Sequence, residues 1–241
     1  MKKSILITTL FAVLCLFGIA EAGDMNKNTA TKNKKLEKAA FGGGCFWCMQ
    51  YAFDKVKGVV STTVGYTGGS KKNPDYEEVS SGKTGHAEGI EIVFDPSQIT
   101  YSEILDIFWK NIDPTTPNRQ FADEGTQYRT AIFFHSEEQK KLAIASKEKL
   151  AKSGKFNKPI VTEIVPASAF YKAEEYHQKY YEKNSLRYKA YHSGSGREQY
   201  LKKIWGDNPE MKNHENKPIK YTKTANEELK KKLNPLQYQV T

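Results

Sequence analysis

The sequence predicts an α+β sandwich in which helices cover one face of a sheet, and three observations carry that expectation. The apolar pattern switches between period two and helical spacing in the order β-α-β-β-α-β, which is the order of the split βαβ unit. Capping and stop residues fall where the pattern switches, so the boundaries have a chemical cause as well as a periodic one. The patterned stretch, about 180 residues, is long enough to bury one core.

The first strand enters the run Gly42-Gly43-Gly44 from about Lys38. Phe46, Met49, Phe53 and Val56 then recur at helical spacing until Gly58 supplies a C-terminal stop. Val59 to Tyr66 is β-rich, and Gly68-Gly69 with Asn73-Pro74 marks a loop. His86 to Phe94 alternates as a strand that Asp95-Pro96 ends. Thr100 and Glu103 form a capping box for a helix with Ile104, Leu105, Phe108 and Ile112 on one side. After a turn-rich loop from Asp113 to Gln127, Tyr128 to Phe134 reads as a strand, Ser136 caps a helix to Lys152, and Ile160 to Val165 reads as a further strand. Residues 173–183 and 197–205 read as two short helices. No repeat of fixed period is present.

The two ends read differently from the middle. Lys2-Lys3 precede an apolar run from Ile5 to Ala20 that closes on Ala20-Glu21-Ala22, the pattern of a cleaved leader over residues 1–22. That run is shorter than the roughly 20 residues a membrane span needs, so stable membrane association after leader removal is not expected. The mature chain is expected to begin near Gly23, exported to the periplasm or secreted, in a compartment that permits disulfides. Residues 23–37 are polar and aperiodic, a disordered linker. Residues 207–241 are polar and lysine-rich, without a second core. Loss of Lys2, Lys3 and Glu21 lowers the net charge from +9 to +8. Lysines and glutamates alternate through the C-terminal half as on solvated helix faces, which argues against a nucleic-acid partner.

Chemistry concentrates at Cys45 and Cys48, the two cysteines that remain after Cys15 leaves with the leader. They lie three residues apart where the glycine run meets a helical pattern. Unpaired amides at a helix N-terminus favour thiolate over thiol, and Cys-x-x-Cys is a redox spacing. The plainer reading is two small buried hydrophobes. Alternation puts Glu88 on the strand face of Ile90, Ile92 and Phe94, so its carboxyl is aimed at the core, where desolvation would keep it protonated near neutral pH. The alternatives are an edge glutamate reaching water, or a buried one paired with Arg119 or Arg129. Tyr76 and Tyr128 stand in turn-rich contexts where a phenol can face a pocket, although packing is the commoner role. Asp123 fits a turn cap or an orienting group. The five histidines show no metal spacing, and a site of both thiols with His86 and His177 is disfavoured, so no metal is expected.

The segments GGGCFWC, VGYTGG, NPDYEEVSSGKTGHAE, FDP, FWKNIDPTT, NRQFADEGTQYRTAIFF, AEEYHQKYY and SGREQYLKKIWG, in register from Lys38 to Gly206, resemble the peptide methionine sulfoxide reductase A family. The resemblance implies a ferredoxin-like βαββαβ core with extra helices and strand, one domain over 38–206, and reduction of the S epimer of methionine sulfoxide, free or in proteins. It implies Cys45 as nucleophile, Glu88 as acid, Tyr76 and Tyr128 as the hydroxyls that hold the sulfoxide oxygen, Asp123 as a supporting group, and Phe46 and Trp47 as walls of the slot for the substrate methyl. Attack would leave Cys45 a sulfenic acid, which condenses with a nearby thiol. Cys48 is the remaining thiol, so a Cys45–Cys48 disulfide is expected, reduced by an external thioredoxin-like dithiol with no bound cofactor.

The sequence departs from the family pattern at two places. Many members have glycine at the position of Cys48 and a resolving cysteine near HSGSGRE, where Ser193 and Ser195 stand here. Many also have glutamate where Gln50 stands. The end of the tail, NEELKKKLNPLQYQVT, resembles the opening of a methionine sulfoxide reductase B domain without its catalytic cysteine or zinc ligands. Two other functions compete: a thiol–disulfide exchanger built on the Cys-x-x-Cys pair, and a binder that retains oxidised methionine peptides without turnover.

Overall fold

The computed structural model describes residues 35–206. The leader expected at 1–22, linker residues 23–34 and the tail at 207–241 lie outside the described residues. In chain order the elements are β1 (Glu37–Gly43), α1 (Phe46–Phe53), β2 (Val59–Thr67), α2 (Tyr76–Ser80), β3 (Ala87–Phe94), α3 (Tyr101–Trp109), a two-strand hairpin of β4 (Arg119–Gln120) and β5 (Asp123–Glu124), and a 3-10 turn (Thr126–Tyr128). Then follow β6 (Thr130–Phe134), α4 (Glu137–Lys152), β7 (Glu163–Pro166), β8 (Tyr171–Lys172), α5 (Tyr180–Lys183), α6 (Ser185–Gly194) and α7 (Arg197–Trp205).

The fold is α+β. Its large sheet has the order β7-β6-β1-β3-β2-β8. The inner four strands, β6-β1-β3-β2, are antiparallel throughout, and their order is that of the split βαβ unit anticipated from the sequence. Beyond β6, α4 carries the chain to β7, which pairs parallel with β6, and β8 closes the opposite edge against β2. Phe41 of β1 lies opposite Ile90 of β3, and its ring stacks at 4.7 Å on Phe108 of α3 and at 5.9 Å on Phe53 of α1. Ile90, Ile92, Phe94, Ile104, Leu105 and Ile112 are fully buried in the same core. The Thr100–Glu103 capping box forms as read, and the Ser136 hydroxyl accepts from the Gln139 amide to start α4.

The structure moves several boundaries: Glu37, read as linker, opens β1, Tyr128, read as the start of a strand, ends the 3-10 turn before β6, and three further shifts have a packing cause. Helix α1 ends at Phe53 rather than Val56, because the chain turns sharply into β2 through Gly58, at φ +93°, where a β-carbon would press on Ile99 at 2.7 Å. Strand β7 starts at Glu163 rather than Ile160, because the Val161 amide donates to Pro114 O at 2.8 Å and Thr162 bonds Thr130 through its hydroxyl. The helix expected over 173–183 is cut to Tyr180–Lys183. Gln178 donates to Val64 O and accepts from Val64 N, behaving like a further β-strand partner of β2, and Lys179 takes a left-handed φ of 52°. Helix α6 fills a stretch to which the sequence assigned no element.

Candidate active site

The loop between β1 and α1 is shaped by close packing. At Gly44, φ +76°, a β-carbon would come within 2.3 Å of Gln120 Cβ, so only glycine allows the chain to turn here. Cys45 follows as the N-cap of α1, and its carbonyl accepts the Cys48 and Met49 amides at 3.1 and 3.3 Å. The next amide, Phe46 N, points across the sheet and donates to Glu88 Oε2 at 3.1 Å. Helix start and buried carboxyl are thus joined by one hydrogen bond.

Glu88 is 3% exposed, on the core-facing side of β3 that alternation assigned to it. Burial pushes its pKa up to about 8; the Phe46 N–H pulls the other way, and the nearby charges of Asp123 and Cys48 add to the rise. Neither arginine weighed as its partner reaches it: Arg129 pairs with Glu163 and Arg119 donates to Phe121 O.

Cys45 corrects the thiolate expectation. Its pKa is well above the ordinary cysteine value because the sulfur is buried, donates a hydrogen bond to Cys48, and faces Glu88 and Asp123. Burial and carboxylates outweigh the amides of a short helix. Cys48 moves the opposite way: burial raises it, but the Cys45 hydrogen bond and the Arg197 guanidinium bring it below the ordinary value. Both thiols are reduced and almost covered, Cys45 4% and Cys48 3% exposed.

A cavity of about 190 Å³ opens beside Cys45, lined by Phe46, Trp47, Tyr76, Glu88, Asp123, Tyr128 and Tyr191. Every residue singled out from the sequence except Cys48 therefore meets in one place, and Cys48 lies one helical turn behind. Trp47 is held on two sides: its ring stacks on Tyr180 at 3.8 Å, and its Nε1 donates to His177 Nδ1 at 3.1 Å. Tyr76 opens α2 behind a capping box of Asp75 and Glu78, and its amide donates to Glu174 Oε1 at 2.9 Å. Tyr128 ends the 3-10 turn. Burial and the Glu88 charge raise both phenols, so they stay protonated as donors.

Three features were not read from the sequence. Tyr191 of α6 lines the cavity and donates through its hydroxyl to Asp123, giving that carboxylate a defined role as anchor. No periodic cue in the sequence marked it. His177 acts as the brace of Trp47, and burial lowers its pKa to about 4, which keeps it neutral and able to accept. His86 accepts from Gly69 N and bonds Lys71 O, so the two histidines weighed with the thiols serve elsewhere. Gln50 is fully buried on the far side of α1; its amide donates to Thr62 Oγ1 at 3.1 Å while its oxygen accepts Lys179 N at 2.7 Å. Thr62 spends its own proton on Asp54, so this position needs a donor that glutamate lacks.

Residues 37–209 match the family model described as peptide methionine sulfoxide reductase. The chain is 53% identical over 175 residues to the peptide methionine sulfoxide reductase MsrA of Bacillus pumilus, covering 73% of this chain and 98% of that one. It is 59% identical over 151 residues to the Methanosarcina acetivorans protein of the same description, covering 63% and 80% of the respective chains. Among solved structures it superposes on methionine sulfoxide reductase A of Corynebacterium diphtheriae with a TM-score of 0.56 at 38% identity, covering 63% of this chain and 76% of that chain.

Proposed function

Because the chain belongs to the peptide methionine sulfoxide reductase family of oxidoreductases, we propose that it reduces the S epimer of methionine sulfoxide, free or in proteins, with Cys45 as nucleophile and Glu88 as acid. The observation that carries this reading is a carboxyl with a pKa of about 8 lining the same cavity as a buried cysteine. Such a group still holds its proton near neutral pH, when an ordinary glutamate has lost it.

The chemistry follows from the placement. Phe46 and Trp47 offer apolar walls for the methyl group, while Tyr76 and Tyr128 donate to the sulfoxide oxygen. Glu88 protonates that oxygen as the Cys45 sulfur attacks the substrate sulfur, and the protonated oxygen is a far better leaving group. Oxygen passes to Cys45 in two moves. A transient bond forms between the Cys45 sulfur and the substrate sulfur as the S–O bond breaks, the oxygen leaving as water with one proton from Glu88 and one from the Cys45 thiol. That water then attacks the Cys45 sulfur, the S–S bond breaks to release the thioether with the electron pair, and the Glu88 carboxylate recovers a proton. Cys45, oxidised by two electrons, is left a sulfenic acid. Substrate binding brings the positive, sulfur end of the S–O dipole to the thiol, which favours the thiolate and works against the burial that holds Cys45 protonated in the free enzyme.

The Cys48 sulfur then displaces hydroxide from the sulfenic acid to give a disulfide, and an external thioredoxin-like dithiol restores both thiols by exchange; no prosthetic group takes part. The match to the reductase family over residues 37–209 speaks against a general exchanger, and the structural role of Gln50 removes one reason to read the site as a degenerate binder. We also infer export, the leader being removed after Ala22; N-terminal sequencing of the mature protein starting at Gly23 is the expected result, and an intact Met1 on the secreted or periplasmic protein refutes it. The deciding assay for the activity supplies dithiothreitol and methionine sulfoxide of known configuration. Selective loss of the S epimer is expected; reduction of insulin disulfides with the sulfoxide untouched contradicts the assignment.

A further inference from the structure

The two apolar walls of the cavity are secured differently. Phe46 is 1% exposed and held by the core, whereas Trp47 is only partly buried and depends on its own contacts. Its ring lies flat on Tyr180, at 3.8 Å and 9° between planes, which fixes the plane of the indole but leaves it free to turn and slide within that plane. The constraint that stacking lacks is directional. Trp47 Nε1 donates to His177 Nδ1 at 3.1 Å, so the indole cannot rotate in the stack without breaking that bond. His177 is itself 2% exposed, and its ring centroid lies 5.0 Å from that of Phe46 and 4.5 Å from that of Tyr76. One imidazole thus packs against both apolar walls and against a phenol assigned to the sulfoxide oxygen.

The backbone that carries this ring is tied to the sheet. His177 N donates to Glu174 O at 2.9 Å, and the Gln178 side chain exchanges two hydrogen bonds with the backbone of Val64 in β2. The Glu174 carboxylate accepts the Tyr76 amide. The stretch 174–178 therefore reaches the Tyr76 side of the cavity through Glu174 and the Trp47 side through His177. Accepting at Nδ1 puts the proton of the neutral ring on Nε2, which is buried and has no hydrogen-bond partner among the described residues. A buried donor left unpaired costs stability that an apolar side chain of similar size would not lose. What the imidazole supplies in return is the bond at Nδ1.

We propose that His177 is a positioning residue that sets the width of the methyl slot, by locking the in-plane orientation of Trp47. The inference rests on the reading of the cavity as the sulfoxide site. With the indole locked the slot has one size, and an extra methylene on the substrate must push packed rings apart. With it unlocked the indole turns aside, admits a larger alkyl group and grips a methyl group less well. Glu88 is held through the Phe46 amide rather than through His177, so loosening the slot acts on binding more than on proton transfer.

The test compares methionine S-sulfoxide with ethionine S-sulfoxide in wild type, His177→Asn, His177→Gln and His177→Leu. Asparagine can place its oxygen where Nδ1 stands and so keeps the acceptor; glutamine carries its oxygen one bond farther out, and leucine has none. One methylene in a fitted apolar pocket changes kcat/KM by about 10-fold to 200-fold, and wild type is expected to favour the methyl substrate within that range. In His177→Leu and His177→Gln the ratio should fall toward one, chiefly because KM for methionine S-sulfoxide rises, and His177→Asn should restore it. The ratio is internal to each sample, so a smaller folded fraction does not alter it. Equal losses for both substrates in His177→Leu and His177→Gln, with the ratio unmoved, overturn the proposal, as does a ratio in His177→Asn that falls as far as in His177→Leu. Wild type gives a check that needs no variant: a ratio near one leaves no slot width to set and overturns it too. If wild type reduces neither sulfoxide, the reading of the cavity fails, and the proposal with it.

Discussion

Glu88→Gln separates catalysis from stability in opposite directions. The substitution keeps the size of the side chain and leaves an oxygen to accept the Phe46 amide, so the start of α1 is preserved. It removes a transferable proton, for which general acid catalysis gives a loss of about 100-fold to 10,000-fold in the chemical step. In wild type the pKa of about 8 makes Glu88 about 90% protonated at pH 7 and about 10% at pH 9, so the single-turnover rate should fall roughly tenfold over that interval. The same shift costs stability. Below the unfolded value of about 4.5 both states hold the proton and nothing is lost; as pH rises toward 8 the unfolded chain releases a proton that the folded chain keeps, and stability declines until both are ionised. At pH 7 the loss amounts to about 3 kcal/mol at most. Glu88→Gln should therefore melt higher than wild type at pH 7, with the difference shrinking toward pH 4, while turning over far more slowly. Rapid-quench single turnovers and thermal melts across pH measure the two effects. Unchanged single-turnover rates, or a stability gap that does not close on acidification, would refute the reasoning.

Other variants probe the remaining roles. Cys48→Ser should complete one reduction of methionine sulfoxide and then stall under thioredoxin; steady thioredoxin-driven turnover would reject Cys48 as the resolving thiol. Tyr76→Phe and Tyr128→Phe each remove one donor to the sulfoxide oxygen and should slow the chemical step by about 100-fold to 1,000-fold, read in single turnover; a change confined to the disulfide phase would misplace them. Gln50→Glu leaves Thr62 Oγ1 without its donor and puts an acid beside Asp54, so denaturant unfolding should show a loss of about 1–3 kcal/mol, with the rate–pH limb of Glu88 unmoved.

Much of the fold was legible because local chemistry and period agree. Alternation placed Glu88 with Ile90, Ile92 and Phe94 on the buried face, and the Thr100–Glu103 and Ser136 caps begin helices where the sequence puts them. The errors arise where a distant partner overrides local pattern. Gln178 leaves the helical path because β2 offers it an amide and a carbonyl 114 residues away, and Val161 leaves β7 for Pro114. The hairpin of β4 and β5 and the two-residue β8 are too short to show a period. At the site, residue type and spacing exposed Cys45, Cys48 and Glu88, but Tyr191 becomes visible only when α6 folds over Asp123. The high pKa of Cys45 could not be read from a helix N-terminus, because burial and two carboxylates from other strands set it.

The account stands or falls on oxygen passing from the substrate to the sulfur of Cys45. In Cys48→Ser, where no second thiol consumes the product, one equivalent of methionine S-sulfoxide followed by dimedone and peptide mass mapping tests it directly. One adduct on Cys45 for each methionine released is the expected result. Methionine released with Cys45 left unoxidised would contradict it.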